Sequence, residues 1–229
     1  MVILSLTLTA ACGTKRGDAS VNAAAVPPKA SESPSSASSA GAKPTRVILF
    51  VGTSLTAGLG LNPDSAFPQL IQAKVDSARL PFEVVNAGQS GETSAGLLQR
   101  LDWLMSGSFD VVVVETGAND GLRGTPVAAI ERNVREIVRR IQTEHPTATI
   151  LLAQMEAPPN LGTDYTTAFR SVFPSVARER GVALLPFILN GVAGVQSLNQ
   201  GDGIHPNQRG EHIVADNVWK GLEPVLRAK

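Results

Sequence analysis

Five short apolar runs, rich in β-branched residues, recur along the chain between residues 46 and 186. Each run is too short for a typical helix and is characteristic of a buried strand. Between the runs, hydrophobic residues return every three or four positions, which predicts amphipathic helices. The predicted strands are residues 46–51, 82–86, 109–115, 148–153 and 182–186.

Four segments carry the helical spacing. They begin near Phe67, after Pro126, near Tyr165 and after His205. In the second segment we expect Thr125 as the N-cap residue and Pro126 at the first helical position. Because strands and helices alternate, the pattern predicts an α/β fold with a mostly parallel sheet covered by helices on both faces. In such sheets, functional sites form in the loops beyond the carboxyl ends of the strands.

The first 44 residues differ from the rest of the chain. Residues 1–12 form an apolar run that ends in small residues and Cys12, the only cysteine. This run is too short to cross a bilayer. It resembles a bacterial lipoprotein signal in which Cys12 would be the lipidated residue. The alternatives are a plain cleaved signal and a buried structural cysteine. Residues 13–44, rich in Ala, Ser and Pro, predict a disordered linker before a folded domain at 45–229. We therefore expect an exported protein, periplasmic or anchored in a membrane through Cys12.

Composition excludes some classes of partner and site. The 229 residues include 20 Lys and Arg against 20 Asp and Glu, so the formal net charge is +0. This balance leaves no summed field to attract phosphate backbones, which argues against nucleic-acid binding through a basic face. A single cysteine can form neither an intramolecular disulfide nor a cysteine-rich zinc site, so a hydrophobic core must stabilise the domain.

Polar, glycine-containing loops follow three of the predicted strands. The first strand leads into Gly52-Thr53-Ser54-Leu55, where a helix N-terminus would supply N–H groups to a developing anion. The second leads into Gln89-Ser90-Gly91-Glu92 and the third into Gly117-Ala118-Asn119-Asp120. Taken one at a time, Ser54 could simply cap a helix, and each glycine loop could be an ordinary turn.

The segment Asp202-Gly203-Ile204-His205-Pro206, directly before the last predicted helix, adds a base to this pattern. A hydrolytic serine needs a base to take its proton, and the base needs an acceptor on its other ring nitrogen. Asp202 and His205 supply both functions within one loop. The other two histidines, His145 and His212, are expected to face solvent.

These blocks occur in the order and at the spacing of the SGNH, or GDSL, hydrolases. Over residues 46–226 the chain resembles the bacterial arylesterase, acyl-CoA thioesterase I and lysophospholipase L1 group of that family. The resemblance implies a flavodoxin-like three-layer α/β/α sandwich with about five parallel strands. It also implies a serine esterase that cleaves carboxylic esters or thioesters, of aryl, short-acyl or lysophospholipid type, through an acyl-enzyme.

The resemblance assigns roles to particular residues. Ser54 would be the nucleophile, His205 the general base, and Asp202 its orienting partner. The backbone amides of Ser54 and Gly91 and the side-chain amide of Asn119 would form the oxyanion hole. The expected substrate-binding residues are Asp120, Leu122, Arg123, Gly124, Pro159 and Asn160.

One position departs from the family pattern: Thr53 stands where Asp is usual, and we expect activity to survive this change. No metal or cofactor is expected. We expect a monomer that takes a small-molecule ester or lipid substrate and no nucleic acid. Two alternative functions remain, a carbohydrate O-deacetylase of the same family and a non-catalytic lipoprotein that binds an acyl group or a glycan.

Overall fold

The five strands lie side by side in one parallel sheet, in the order β2-β1-β3-β4-β5. The computed structural model describes residues 46–229, so Cys12, the expected linker at 13–44 and residue 45 lie outside the described residues. The order of the strands is that of a flavodoxin-like doubly wound sheet, which confirms the expected fold class. The strands are β1 (Arg46–Gly52), β2 (Phe82–Gly88), β3 (Val111–Val114), β4 (Thr149–Ala153) and β5 (Ala183–Leu185).

Burial differs strongly between the middle and the edges of the sheet. The four valines of β3 are all buried. The edge strands β2 and β5 instead expose apolar side chains, including Val85 and Leu184. The prediction of five buried strands is therefore wrong for β2 and β5, because an edge strand has a sheet neighbour on only one side.

The described residues form seven α-helices, of which six lie between strands and the seventh follows β5. They are α1 (Ser54–Ala57), α2 (Phe67–Ser77), α3 (Ser94–Leu104), α4 (Ala118–Leu122), α5 (Val127–Glu144), α6 (Thr163–Arg180) and α7 (Gln208–Ala228). Helix α2 packs against α7, and α5 packs against α3 and α6. Because crossovers between parallel strands are right-handed, the reversal of strand order after β2 puts these two groups on opposite faces of the sheet.

The helical predictions hold for the four long amphipathic segments, which are α2, α5, α6 and α7. Helix α3 was not predicted, although its buried leucines follow helical spacing at Leu97, Leu101 and Leu104. The prediction that Thr125 caps α5 is wrong, because the N-cap residue is Pro126 and it makes no side-chain cap bond. The Thr125 carbonyl instead accepts a hydrogen bond from the Tyr165 hydroxyl at 2.7 Å.

Aromatic pairs fill the space between the sheet and the helices. Phe50 of β1 contacts Phe67 of α2 edge-on, with ring centroids 5.6 Å apart. Phe169 and Phe173 of α6 make a similar contact at 5.5 Å. All four rings are fully buried. Within residues 46–229, no helix has the length and apolar character needed to cross a bilayer.

Candidate active site

Ser54 is the first residue of α1, at the point where β1 turns sharply into that helix. Only 7% of its surface is exposed. The turn requires glycine at position 52, because a Cβ there would lie 2.0 Å from the Thr56 hydroxyl oxygen. The Thr53 hydroxyl caps α1 by accepting the Leu55 N–H at 3.4 Å. The end of β1 therefore presents Ser54 at a helix N-terminus, as predicted.

His205 and Asp202 lie within hydrogen-bonding distance of each other and of Ser54. His205 Nε2 is 2.8 Å from Ser54 Oγ. His205 Nδ1 is 2.6 Å from Asp202 Oδ2. The fold thus joins the carboxyl end of β1 to the loop before α7, which lies 151 residues further along the chain. This is the geometry of a serine, a base and an orienting carboxylate.

The Asp202 carboxylate is held in its ionised form. Its hydrogen bond from His205 is the largest influence, and the backbone N–H groups of Ile204 (2.9 Å) and His205 (3.0 Å) add two more. Together these donors lower the pKa of Asp202 to about 2. An ionised carboxylate can only accept hydrogen bonds, so Nδ1 of a neutral His205 carries the proton. Its Nε2 is then the acceptor for the Ser54 hydroxyl.

The three expected oxyanion donors come from neighbouring strands. Ser54 follows β1, Gly91 follows β2 and Asn119 follows β3. Neither the Ser54 amide nor the Gly91 amide donates a hydrogen bond to an acceptor within residues 46–229. The Asn119 side-chain amide donates one hydrogen to the Glu92 carbonyl at 2.9 Å, which leaves its second hydrogen for another acceptor.

Several side chains hold the Gly91 loop in place. Gly91 has a φ of +79°, a left-handed conformation that favours glycine. Arg123 donates to the Gly91 carbonyl at 3.1 Å. Arg100 pairs with the buried Glu92 carboxylate and donates to the Ala87 carbonyl at 2.8 Å. These contacts hold the Gly91 loop from both sides.

An apolar cleft of about 440 Å³ opens beside Ser54 and His205. It extends across the carboxyl ends of β3, β4 and β5. Leu122 and Pro159, two of the residues expected to bind substrate, line it. Further residues that line the cleft are Leu55, Ala118, Asn119, Met155, Glu156, Ala157, Pro158, Phe187, Leu189, Ala193, Gly194, Gly203 and Ile204.

Four of the expected substrate-binding residues do not line this cleft. Asp120 is buried, and its carboxylate accepts hydrogen bonds from the backbone and hydroxyl of Ser94, both at 2.7 Å. Its role is therefore to join α4 to α3. Arg123 turns towards the Gly91 loop instead. Gly124 and Asn160 are exposed and lie outside the set of residues that line the cleft.

Glu115, which the sequence pattern alone does not single out, directly follows β3 and is 1% exposed. Its carboxylate accepts hydrogen bonds from the Thr53 amide at 2.7 Å and from the hydroxyls of Thr53 and Thr56 at 2.9 Å. Burial raises the pKa of Glu115, and the hydrogen bonds from Thr53 and Thr56 oppose that rise. The available signal was an acidic residue at the end of a strand of four valines.

The two other histidines lie away from this site. His212 is exposed on α7, as expected. The expectation for His145 is wrong, because it is half-buried and its Nε2 lies 3.1 Å from the Met105 carbonyl oxygen. Its ring also packs edge-on against Phe109, with centroids 5.3 Å apart. His205 is therefore the histidine that the fold brings to Ser54.

Comparison with known proteins agrees with the fold and the motifs. Residues 50–213 match the GDSL-like Lipase/Acylhydrolase family. Esterase TesA of Pseudomonas aeruginosa is 40% identical over 182 residues, which cover 79% of this chain and 90% of that protein. Thioesterase 1/protease 1/lysophospholipase L1 of Escherichia coli (strain K12) is 37% identical over 180 residues, which cover 78% of this chain and 84% of that protein.

A solved structure extends the agreement to three dimensions. The crystal structure of TesA aligns with this fold at a TM-score of 0.75 and 39% sequence identity, covering 79% of this chain and 99% of that one. The likeness therefore extends over nearly all of the TesA chain and most of this one. The chain belongs to the GDSL-like lipase/acylhydrolase, or SGNH hydrolase, family.

Proposed function

We propose that this protein is a serine hydrolase that cleaves carboxylic esters and thioesters through an acyl-enzyme intermediate. The observation that carries the proposal is the hydrogen-bonded series Ser54, His205 and Asp202 beside an apolar cleft. The relatives are by name an esterase, a thioesterase/lysophospholipase and, in Vibrio mimicus, an arylesterase, which supports thioester, lysophospholipid and aryl ester substrates.

Acylation begins when Ser54 Oγ attacks the carbonyl carbon of the ester and its proton passes to His205 Nε2. The 2.8 Å separation of these atoms permits that transfer without a side-chain movement. The carbonyl oxygen takes the negative charge and accepts hydrogen bonds from the amides of Ser54 and Gly91 and from Asn119. Asp202 stabilises the imidazolium that forms.

The tetrahedral intermediate collapses when His205 gives its proton to the leaving alcohol or thiol, and the carbon–oxygen or carbon–sulfur bond breaks. Water then attacks the acyl group on Ser54 while His205 Nε2 takes a proton from that water. Collapse of the second intermediate returns the proton to Ser54 Oγ and releases the carboxylic acid. No redox partner enters these steps.

The character of the cleft supports an acyl group as the part of the substrate that it holds. Side chains such as Leu122, Met155 and Leu189 give it mainly hydrocarbon surface. Its volume of about 440 Å³ lies within the range of small-molecule sites. Hydrocarbon surface favours acyl chains over the polar rings of a carbohydrate, which makes the O-deacetylase function the weaker candidate.

The test is hydrolysis of p-nitrophenyl esters from acetate to palmitate by the full chain and its variants. Ser54→Ala and His205→Ala are expected to lower kcat at least ~10³-fold. Ser171→Ala, which removes an exposed serine hydroxyl of α6, is the matched control and should retain the wild-type rate. A fluorophosphonate probe should label the wild-type protein and the control but not Ser54→Ala.

Two results would argue against this function. Wild-type turnover by Ser54→Ala would exclude the serine mechanism. Folded wild-type protein with neither turnover nor fluorophosphonate labelling would favour the non-catalytic binding protein. The chain length at which turnover declines measures how much of the cleft the acyl group occupies.

We also propose, on sequence grounds, that Cys12 carries a lipid anchor after export. The support is the apolar run that ends at Cys12 and the Ala, Ser and Pro-rich segment that follows it. Growth of bacterial cells with labelled palmitate should label the wild-type chain but not a Cys12→Ser variant. Export of an unlabelled, shortened wild-type protein would instead support a plain cleaved signal.

A further inference from the structure

We infer that Glu115 is a positioning residue for the proposed reaction: acting through Thr53, it fixes the peptide that carries the nucleophile and its oxyanion amide. The inference rests on the proposed function, because positioning matters only if Ser54 reacts. In this role Glu115 does not contact substrate. It acts only through residues 52–56, the nucleophile loop, which carries Ser54.

The sheet places Glu115 directly against this loop. Val114 of β3 lies in register with Val51 of β1, and the Glu115 amide continues that ladder with a 2.9 Å hydrogen bond to the Val51 carbonyl. The Glu115 carboxylate lies against Gly52, where an added Cβ would approach its Oε2 to 2.7 Å. Strand pairing therefore puts the carboxylate inside the turn that leads to Ser54.

The hydrogen bonds on the carboxylate have a defined direction. The Thr53 hydroxyl accepts the Leu55 N–H at 3.4 Å, so its own hydrogen is left to donate to Glu115 at 2.9 Å. The Thr53 N–H donates to the same carboxylate at 2.7 Å. Thr53 is therefore held at both its backbone and its side chain. The Thr53 carbonyl in turn accepts the Ala57 N–H at 3.0 Å. Because the Thr53–Ser54 peptide is planar, the direction of that carbonyl sets where the Ser54 N–H points.

A buried carboxyl group loses its hydration, which destabilises the fold unless hydrogen bonds within the protein replace those to water. Glu115 is almost completely buried, and no Lys, Arg or His side chain in the part of the chain described here pairs with it. Its side-chain partners are Thr53 and Thr56, both in the nucleophile loop. Buried polar groups require such partners. The pairing also gives Thr53 a role of its own at the position where the family usually has Asp.

The test compares Thr53→Val, which removes the hydroxyl at nearly constant shape, with Thr53→Ser, which keeps it. Thr116→Val is the matched control, because Thr116 also lies at the end of β3, is 1% exposed, and its hydroxyl has no hydrogen-bond partner within residues 46–229. Glu115→Gln, which replaces one acceptor oxygen by an NH₂ group, is measured alongside. The readouts are kcat and KM for p-nitrophenyl butyrate, with folded protein quantified by near-UV circular dichroism.

Loss of a whole oxyanion donor costs about 10²–10³ in rate, and a misplaced donor costs less. Thr53→Val and Glu115→Gln are therefore expected to lower kcat by about 10- to 100-fold. Their KM should change less than about threefold, because the cleft is untouched. Thr53→Ser should restore most of the wild-type kcat, and Thr116→Val should match the wild type.

A wild-type kcat in folded Thr53→Val or Glu115→Gln would overturn the inference, even if that variant melts at a lower temperature. An equal loss of kcat in Thr116→Val would overturn it as well. If Thr53→Val does not fold, Thr53→Ala and Glu115→Gln decide by the same criteria. Absence of ester turnover by the wild-type protein, measured beside Ser54→Ala, would instead count against the proposed function.

Discussion

The free energy of unfolding of this protein is expected to decrease as the pH rises from about 4.5 to about 8, because the carboxyl group of Glu211 is buried. Glu211 lies in the first turn of α7 and is 1% exposed. It accepts the N–H of Phe67, the first residue of α2, at 2.9 Å. The N-cap residue of α2 is Ala66, which has no side-chain acceptor, so Glu211 caps α2 from another helix. Burial raises the pKa of Glu211 from 4.5 to about 8 despite this hydrogen bond.

The sign follows from proton binding. The folded-state pKa of Glu211 is above the unfolded value, so the folded protein binds more protons between these two values. Its contribution to stability is fully present below about pH 4.5, declines as the pH rises, and is lost above about pH 8. At about 1.4 kcal/mol for each pKa unit, the rise from 4.5 to about 8 corresponds to an upper value of about 5 kcal/mol.

The Glu211→Gln variant isolates this effect, because glutamine keeps a carbonyl acceptor for the Phe67 N–H but does not ionise. Urea unfolding at about pH 5 should give the variant and the wild type free energies within about 1 kcal/mol of each other. At about pH 8.5 the variant should be more stable by roughly 3–5 kcal/mol. Glu83→Gln, at an exposed position on β2, is the control and should show no such pH dependence.

Two results would refute this reasoning. One is a difference between Glu211→Gln and the wild type that is the same at both pH values. The other is a wild type that remains the more stable protein at the higher pH. Either result would mean that the Glu211 carboxyl ionises in the folded state at little cost.

Asp202→Asn should lower kcat by about 10²–10⁴-fold at every pH above about 3, because the pKa of Asp202 is lowered to about 2 and its carboxylate orients the catalytic histidine. The measurement is a pH–rate profile, and a loss of kcat confined to acidic pH would contradict this prediction. Gly52→Ala should destabilise the fold by about 1–3 kcal/mol in urea unfolding, because its Cβ would lie 2.0 Å from the Thr56 hydroxyl oxygen, whereas Gly201→Ala, in open space, should not. Ala157→Phe, which adds a ring to the cleft wall, should reduce kcat/KM at least about tenfold more for p-nitrophenyl octanoate than for p-nitrophenyl acetate. An equal loss for both esters would show that the acyl chain does not contact this wall.

Much of the fold was predictable because burial leaves a local signature. The valines of β3 and the apolar stripe of α5 mark their elements without reference to any other part of the chain. The predicted end points were less accurate. The third strand was expected over residues 109–115 but spans Val111–Val114. Asp110, just before the strand, accepts the Val47 N–H with its carboxylate at 3.0 Å, a partner that sequence does not reveal.

The candidate triad was predictable for a different reason. Asp202 and His205 are three residues apart, so their pairing is local and can be expected from one loop. Ser54 follows a strand, and the carboxyl ends of parallel strands share one edge of the sheet. The side chains of Asp120 and Arg123 do not line the cleft, because a position beside the site does not define which way a polar side chain turns.

The sequence by itself determined the order of the elements, the loops that carry reactive groups and the pairing of Asp202 with His205, all of which depend on neighbours close along the chain. The tertiary structure determined which strands lie at the sheet edges and buried Glu115 against Thr53. It also directed the Asp120 carboxylate to Ser94 and the Arg123 side chain to the Gly91 carbonyl. The reason is that hydrophobic periodicity records burial residue by residue. A hydrogen bond instead depends on two groups that approach within about 3 Å, and for Glu115 and Thr53 the sheet brings together residues 62 positions apart.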